Sequence, residues 1–209
     1  MRYSTDGLQK KQISVLKSLG VQMSARGFYL AGGTALAIHL SHRISVDLDW
    51  FTPNSIADGM ILAQSLRNSN IDLDIEQVSS GTVHGSVKKV RVSFLQYQYP
   101  LLKPLEQWNE MSCPLASLED LACMKLSAIA QRGARKDFCD IYTLGKKAFS
   151  LSHMLGFYKI KFGIKDIASV LYGLVYFDDA ESERMPKMLL DVSWSEIKNT
   201  ILSWVKEVS

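Results

Sequence analysis

The sequence has few cysteines, and they are not arranged for a metal site or a disulfide framework. Its 209 residues include Cys113, Cys123 and Cys139, an odd number without CxxC spacing. This pattern argues against structural disulfides and predicts a reducing, cytoplasmic environment. The four histidines do not cluster near the cysteines, so a zinc site is not expected either.

Long apolar runs and a large excess of charge of one sign are also absent. No apolar stretch approaches the roughly 18 residues that a membrane span needs, and the polar segment 1–11 argues against a signal peptide. The apolar fraction of 47% is that of an ordinary globular protein. The net charge of +3 permits contact with RNA or nucleotides without implying it.

The chain changes character near residues 105–116, from mixed patterns to helical ones. Before this boundary, apolar periodicity predicts helices at 5–20, 34–42 and 56–68, and strands at 45–51, 71–79 and 87–97. The last two strands are expected to be joined by a turn that contains Gly81 and Gly85. After the boundary, helices are predicted at 118–131, 136–148, 152–162, 166–176 and 194–207. This order predicts an α+β fold, with an α/β domain over 1–110 and a helical C-terminal domain over 111–209.

Asp47 and Asp49 stand two residues apart in a β-rich segment. Residues at i and i+2 of a strand point to the same face, so the two carboxylates are expected side by side, with Val46, Leu48 and Trp50 facing the core. Two like charges repel, and a magnesium ion between them is the usual solution. The alternative is a polar strand face, because the pattern alone is common.

A glycine pair followed by threonine precedes these aspartates. Gly32 and Gly33 allow a close backbone approach to phosphate, and the helix that they open offers unpaired N–H groups. Thr34 can add its hydroxyl, and Arg43 and Ser45 are further candidates for phosphate contact. The alternatives are an ordinary glycine turn capped by Thr34 and a solvated Arg43.

Three charged residues of the helical half fall on apolar faces. Lys125 lies within the apolar stripe of the helix 118–131, and Asp137 and Asp140 lie on or beside the apolar face of the next helix. A buried charge is costly unless it meets an opposite charge. Contact with an anionic substrate and a structural ion pair between the two helices both explain the pattern.

Together these motifs resemble the AbiEii/AbiGii toxin family of nucleotidyltransferases, a branch of the DNA polymerase β-like superfamily. The matching stretches are 28–37, 42–49, 118–125 and 136–140. The resemblance implies a polymerase β-like mixed sheet domain followed by a helical domain. It also implies an enzyme that transfers a nucleoside monophosphate from an NTP to an acceptor, expected to be RNA or tRNA. Family members act as toxins of type IV toxin–antitoxin or abortive-infection systems.

Carried over by residue, the resemblance implies that Asp47 and Asp49 bind Mg²⁺ and that Gly33 and Thr34 hold phosphate. The expected partners are the NTP, the RNA acceptor and a cognate antitoxin protein, with no membrane contact and a monomeric state.

The same resemblance gives roles to the charged residues of the helical half. Lys125 is expected to contact the triphosphate. Asp140, or Asp137, is expected to complete the site as a base or an orienting group.

One departure concerns the third carboxylate, which polymerase β-like enzymes usually place on a later strand to help bind metal and deprotonate the acceptor. The corresponding stretch 87–94 contains no acid. The alternating acids at 72, 74 and 76 are expected to be solvated, so Asp137 or Asp140 is the better substitute. This gap keeps open a non-catalytic nucleotide- or RNA-binding module. The modest net charge also keeps open a nucleotidyltransferase that acts on a small molecule.

Overall fold

The structure is a computed structural model that describes residues 3–208. Its helices are α1 (Lys10–Ala25), α2 (Gly32–Leu40), α3 (Gly59–Asn68), α4 (Leu118–Gln131), α5 (Arg135–Lys147), α6 (Leu151–Phe162), α7 (Ala168–Val175), α8 (Asp178–Glu181) and α9 (Trp194–Val208). Its strands are β1 (Tyr29–Ala31), β2 (Leu48–Thr52), β3 (Asp74–Ser79), β4 (Thr82–Val87), β5 (Val90–Gln96), β6 (Glu106–Trp108) and β7 (Cys113–Leu115). A short 3₁₀ helix spans Asn109–Met111.

The strands form one mixed sheet in the order β3-β4-β5-β2-β1-β7-β6. β2 pairs parallel to β5, and β1 pairs parallel to β7, whereas the other neighbours are antiparallel. Helix α1 contacts β2, β5 and β7. The α+β class with a mixed sheet, predicted from the sequence, is confirmed.

The described part of the chain divides into two compact units. The first contains the sheet and comprises the chain up to His39, Ser45–Tyr99 and Pro104–Ala116. The second is helical and comprises Leu40–Ile44, Pro100–Lys103 and the chain from Ser117 onward. Each unit therefore consists of several segments of the chain. The single domain boundary after residue 110 stays a prediction.

In the helical unit, α4 contacts α5, α6 and α7. Helix α4 begins and ends where the sequence predicts. Ser117 Oγ accepts a hydrogen bond from the Asp120 amide at 3.1 Å and so caps the start of the helix. The described part of the chain contains no helix with the length and apolar character needed to cross a membrane.

The hairpin β4–β5 differs from its prediction. Strands at 71–79 and 87–97 with one turn were expected, but β4 lies between them and contains Gly85. A Cβ at Gly85 would lie 2.3 Å from the backbone oxygen of Asp74, so this glycine permits close strand approach and makes no turn. The Gly81 part of the prediction is confirmed, because Gly81 has a φ of 69° in the turn between β3 and β4. A second turn, which was not predicted, falls at Lys88 and Lys89, whose φ angles are 50° and 63°. Lysine carries none of the usual signal for positive φ, which is why the pattern missed this turn.

Two helix-interior glycines of the helical unit test the packing of α5 against α9. A Cβ at Gly145 would lie 2.1 Å from the Trp204 ring, whereas one at Gly156 would meet nothing within 4 Å. We expect Gly145→Ala to lower the free energy of unfolding by about 1–3 kcal/mol through overpacking. The control Gly156→Ala should raise it by about 0.5–1 kcal/mol through helix propensity. Urea denaturation measures both, and equal effects of the two substitutions would contradict this packing.

Candidate active site

Asp49 lies directly beside the first residue of helix α2. It pairs with Ala31 across β1 and β2, and its neighbours Leu48 and Trp50 are fully buried on the opposite face. Gly32 has a φ of 66°, and a Cβ there would lie 2.9 Å from Asp49 Oδ2. Glycine is therefore required at position 32 for the backbone conformation and for the space that the carboxylate occupies.

The segment that carries Asp47 is held outside the β-ladder. The Thr34 hydroxyl hydrogen-bonds to the Asp47 backbone carbonyl and lies 2.7 Å from Ser45 Oγ. Strand β2 consequently begins at Leu48, three residues later than predicted. The expectation that Val46 faces the core is wrong, because alternation does not extend before the strand and Val46 is 55% exposed. Thr34 and Ser45 thus fix the loop that presents Asp47.

One carboxylate oxygen of Asp47 lacks a hydrogen-bond partner. Oδ1 is buried and accepts no hydrogen bond from any residue between 3 and 208. The closest cationic contact recorded for it is Arg91 Nε at 3.6 Å, on a side chain that is 76% exposed. A buried acceptor without a donor is unusual in proteins, and at a carboxylate it points to a cation as the missing partner.

A row of polar side chains continues from Asp49 across the same face of the sheet. Asp49 pairs with Ser93 of β5, and Ser93 pairs with His84 of β4. His84 Nδ1 lies 3.2 Å from Ser93 Oγ. Sequence reasoning missed both residues, because it left 82–86 in a turn and so gave no register for this face.

The charged residues of the helical unit form a buried cluster. Lys125 Nζ of α4 lies 2.8 Å from Asp137 Oδ1 and 2.6 Å from Asp140 Oδ2, both on α5. The side chain of Lys125 is 6% exposed, and both aspartates are fully buried. Arg132 Nε adds a contact of 3.0 Å to Asp137 Oδ2. The structural ion pair considered from the sequence therefore exists.

Asp140 also receives hydrogen bonds from the segment that precedes the aspartate pair in the chain. Arg43 donates through Nε at 2.7 Å and Nη2 at 2.9 Å, and His42 Nε2 lies 2.7 Å from Oδ1. Arg43 is 4% exposed, so the solvated alternative for this residue is wrong, and its guanidinium is committed to Asp140.

The electrostatics of Asp140 make it an anchor and a poor base. Desolvation by burial raises the pKa of Asp140, but Lys125 and Arg43 outweigh it and hold the pKa well below its ordinary value. Desolvation lowers the pKa of His42, so its imidazole is neutral at pH 7. Two buried cations, Lys125 and Arg43, balance two buried carboxylates, which is the condition for burying such charges.

Solved structures described as nucleotidyltransferases share this mixed-sheet fold. The nucleotidyltransferase toxin MenT4 from Mycobacterium tuberculosis H37Rv aligns with a TM-score of 0.61 at 10% identity, covering 95% of this chain and 84% of its own. An H. pylori protein provisionally assigned as a nucleotidyltransferase aligns with a TM-score of 0.58 at 16% identity, covering 96% and 95%. These similarities confirm the polymerase β-like fold.

The family follows from the sequence. The sequence model of one protein family, the nucleotidyl transferase AbiEii toxins of type IV toxin–antitoxin systems, matches residues 15–163. The chain therefore belongs to the AbiEii nucleotidyltransferase toxin family. It is also 34% identical over 201 residues to an uncharacterised protein of Aquifex aeolicus strain VF5, covering 95% of both chains.

Replacing Asp140 tests its anchoring role in the helical unit. Asp140→Asn leaves Lys125 and Arg43 undercompensated, so we expect a loss of about 3–5 kcal/mol in the free energy of unfolding at pH 7. The folded-state pKa of Asp140 is depressed, so its stabilisation is present above its unfolded pKa of about 3.9 and is lost as pH falls through the folded value.

Denaturant titrations of the wild type and the variant measure this difference. The gap should be full at pH 7 and should narrow below about pH 4. Asp191→Asn, at an exposed position, is the control and should change stability by less than about 0.5 kcal/mol. A loss no larger than that of the control would contradict the anchoring role.

Proposed function

We propose that this nucleotidyltransferase is Mg²⁺-dependent, uses Asp47 and Asp49 as its metal ligands, and transfers a nucleoside monophosphate from an NTP to an RNA acceptor such as tRNA. In this proposal it acts as the toxin of a type IV toxin–antitoxin system and has a cognate antitoxin protein. The observation that carries the proposal is the buried Oδ1 of Asp47, which accepts no hydrogen bond within residues 3–208 and has Arg91 Nε at 3.6 Å. Asp47 lies two residues before Asp49, whose carboxylate lies beside the start of α2.

The donor set fits magnesium. Mg²⁺ takes oxygen ligands and is often bound by one or two carboxylates, with water and substrate phosphates completing its shell. Among residues 3–208 no group of three or more His, Cys, Asp and Glu side chains is placed to hold a metal. An all-protein cage is thus not built here, whereas an open two-carboxylate site is compatible with the geometry.

The start of α2 supports phosphate binding next to these carboxylates. Its first residues, Gly32 and Gly33, carry no side chain, so backbone N–H groups are open to an anion at the positive end of the helix dipole. Thr34 contributes by bonding to the Asp47 carbonyl, which fixes the distance between helix start and aspartates. The Thr34 contact to phosphate itself stays part of the proposal.

In the transfer, the acceptor hydroxyl oxygen bonds to the α-phosphorus, and the bond to the oxygen bridging the α- and β-phosphorus atoms breaks to release pyrophosphate. The metal, when bound, neutralises phosphate charge as it develops. Asp47 and Asp49 would hold that metal, and the α2 amides stabilise the triphosphate electrostatically. The roles expected for Lys125, Asp137 and Asp140 in this site remain predictions from the family resemblance.

A basic segment next to Asp47 favours RNA over a small acceptor. Lys88 and Lys89 form the β4–β5 turn, and Arg91 follows on β5, where its guanidinium approaches Asp47. All three side chains are exposed. Exposed cations in sequence along one edge contact successive phosphates of a nucleic acid, whereas a small molecule needs no such extended surface.

The metal assignment predicts that Asp47→Asn abolishes both metal binding and transfer. We expect a loss of at least about 100-fold in incorporation of labelled nucleotide into total tRNA, because charge compensation at the triphosphate is lost. Mn²⁺ binding, followed by electron paramagnetic resonance in the presence of NTP, should weaken in parallel. The control Asp74→Asn lies at an exposed position of β3 and should leave both unchanged. Wild-type activity in Asp47→Asn would contradict the assignment.

The acceptor assignment predicts a salt-sensitive role for the β4–β5 turn. Replacing Lys88 and Lys89 together by Ala should raise the KM for tRNA, leave the KM for NTP unchanged, and reduce the slope of log affinity against log salt by about 1–2. The control replaces Lys10 and Lys11 of α1, which are also exposed. An unchanged slope in the turn variant would argue for a small-molecule acceptor.

A further inference from the structure

The proton of the acceptor hydroxyl needs a destination that the aspartates do not provide. In the proposed function both Asp47 and Asp49 bind metal, and β5, which pairs with β2, contains no carboxylate. Asp140 has both oxygens occupied by Arg43, Lys125 and His42, and both oxygens of the buried Asp137 are occupied by Lys125 and Arg132. A base must therefore come from another residue, and the imidazole is the side chain that most often serves near neutral pH.

His84 is the histidine on the described strands, and its position follows from the register. It lies on β4, one strand beyond Ser93, which itself faces Asp49. Neighbouring strands are about 4.8 Å apart, so the backbones at Asp49 and His84 are about 10 Å apart. The contact of 3.2 Å between Nδ1 and Ser93 Oγ shows that the imidazole touches the side chain of the residue that lies between His84 and Asp49 in the sheet.

We propose that His84 is the general base of the transfer reaction and that Ser93 is its positioning residue. This inference rests on the proposed function. With Nδ1 donating to Ser93 Oγ, the lone pair of Nε2 is left to accept a proton. Ser93 thereby selects the tautomer, as a hydrogen-bonded partner of one ring nitrogen generally does.

The proton transfer is balanced within this arrangement. As the acceptor oxygen bonds to the α-phosphorus and pyrophosphate leaves, its proton passes to His84 Nε2. The resulting imidazolium then releases the proton to water, which regenerates the base. Half-burial of His84 and Ser93 leaves the ring open to substrate and to solvent.

The charged groups that face His84 are known from the elements around it. Helix α3 packs on the other face of the sheet, where a Cβ at Gly59 would meet Val83. The face that carries His84 also carries Asp47 and Asp49 on or before β2, Arg91 on β5 and Asp74 on β3, and Glu76 lies at the register shift of β3. The residue of β3 that pairs with His84 is the uncharged Gln77.

The test is the pH dependence of kcat with saturating NTP, tRNA and Mg²⁺. The wild type should lose activity on acidification with a slope of one proton. His84→Gln, which keeps a polar side chain next to Ser93, should lower kcat by about 100-fold or more and remove this acid limb. In His84→Ala, added imidazole should restore part of the rate. Ser93→Ala should shift the limb and lower kcat less than His84→Gln does.

His153 provides a matched control. Its Nδ1 also contacts a serine hydroxyl, Ser150 Oγ at 3.1 Å, at the exposed start of α6 in the helical unit. His153→Gln should leave kcat and the acid limb unchanged.

Three results would overturn the proposal. The first is a His84→Gln variant that keeps the wild-type rate and acid limb, and the second is a His84→Ala variant that imidazole does not rescue. The third is a His84→Gln variant that binds Mn²⁺ as weakly as Asp47→Asn does, because His84 would then be a metal ligand.

Mn²⁺ and NTP binding also separate this inference from the proposed function. If Asp47→Asn binds and reacts like the wild type, the proposed function fails. If Asp47→Asn is inactive and His84→Gln is not, only the base assignment fails.

Discussion

The contact between Gly32 and the Asp49 carboxylate is the constraint on which the proposed site depends. It joins the positive end of α2 to the start of β2 within van der Waals range, and no other residue type fits there. The antiparallel pairing of β1 with β2 creates the contact, because Ala31, the residue before the helix, lies opposite Asp49. The glycine-led start of α2 and the Asp49 carboxylate thus come together through one strand pairing.

The loop around Asp47 depends on the same helix start. The Thr34 hydroxyl holds the Asp47 carbonyl, so the residues before β2 cannot extend the strand. Asp47 consequently keeps one buried oxygen without a donor. A buried carboxylate oxygen without a hydrogen bond lowers the free energy of unfolding, and a bound cation would offset this loss. Metal binding and local stability are therefore expected to be linked here.

The helical unit handles its charges in the opposite way. Every buried charge there has a partner within the described chain, with Asp140 bonded to Arg43, Lys125 and His42. Such a saturated network is suited to fixing side-chain positions, whereas Asp47 of the sheet unit keeps a buried Oδ1 that accepts no hydrogen bond within residues 3–208. The two sets of aspartates therefore differ in chemistry although both were candidates for catalysis on sequence alone.

Features of the fold and the site could be predicted from the sequence where the signal lies within one short segment, and could not where it joins distant residues. The apolar periodicity of 118–131 predicted the bounds of α4, and the position of Lys125 within an apolar stripe indicated a charge that needs an anionic partner. The partners Arg43 and Asp140 lie 97 residues apart, so no local pattern relates them. Because the turn at Lys88 and Lys89 has no sequence signal, β4 was not predicted. The register that places His84 beside Ser93 was therefore not predicted either.

The most direct test of the metal site is a crystal structure with Mn²⁺ and a non-hydrolysable NTP analogue, with the ion located by its anomalous scattering. We expect an ion bound by both Asp47 and Asp49, with the triphosphate at the start of α2. An analogue bound elsewhere, or an ion that contacts neither aspartate, would contradict it.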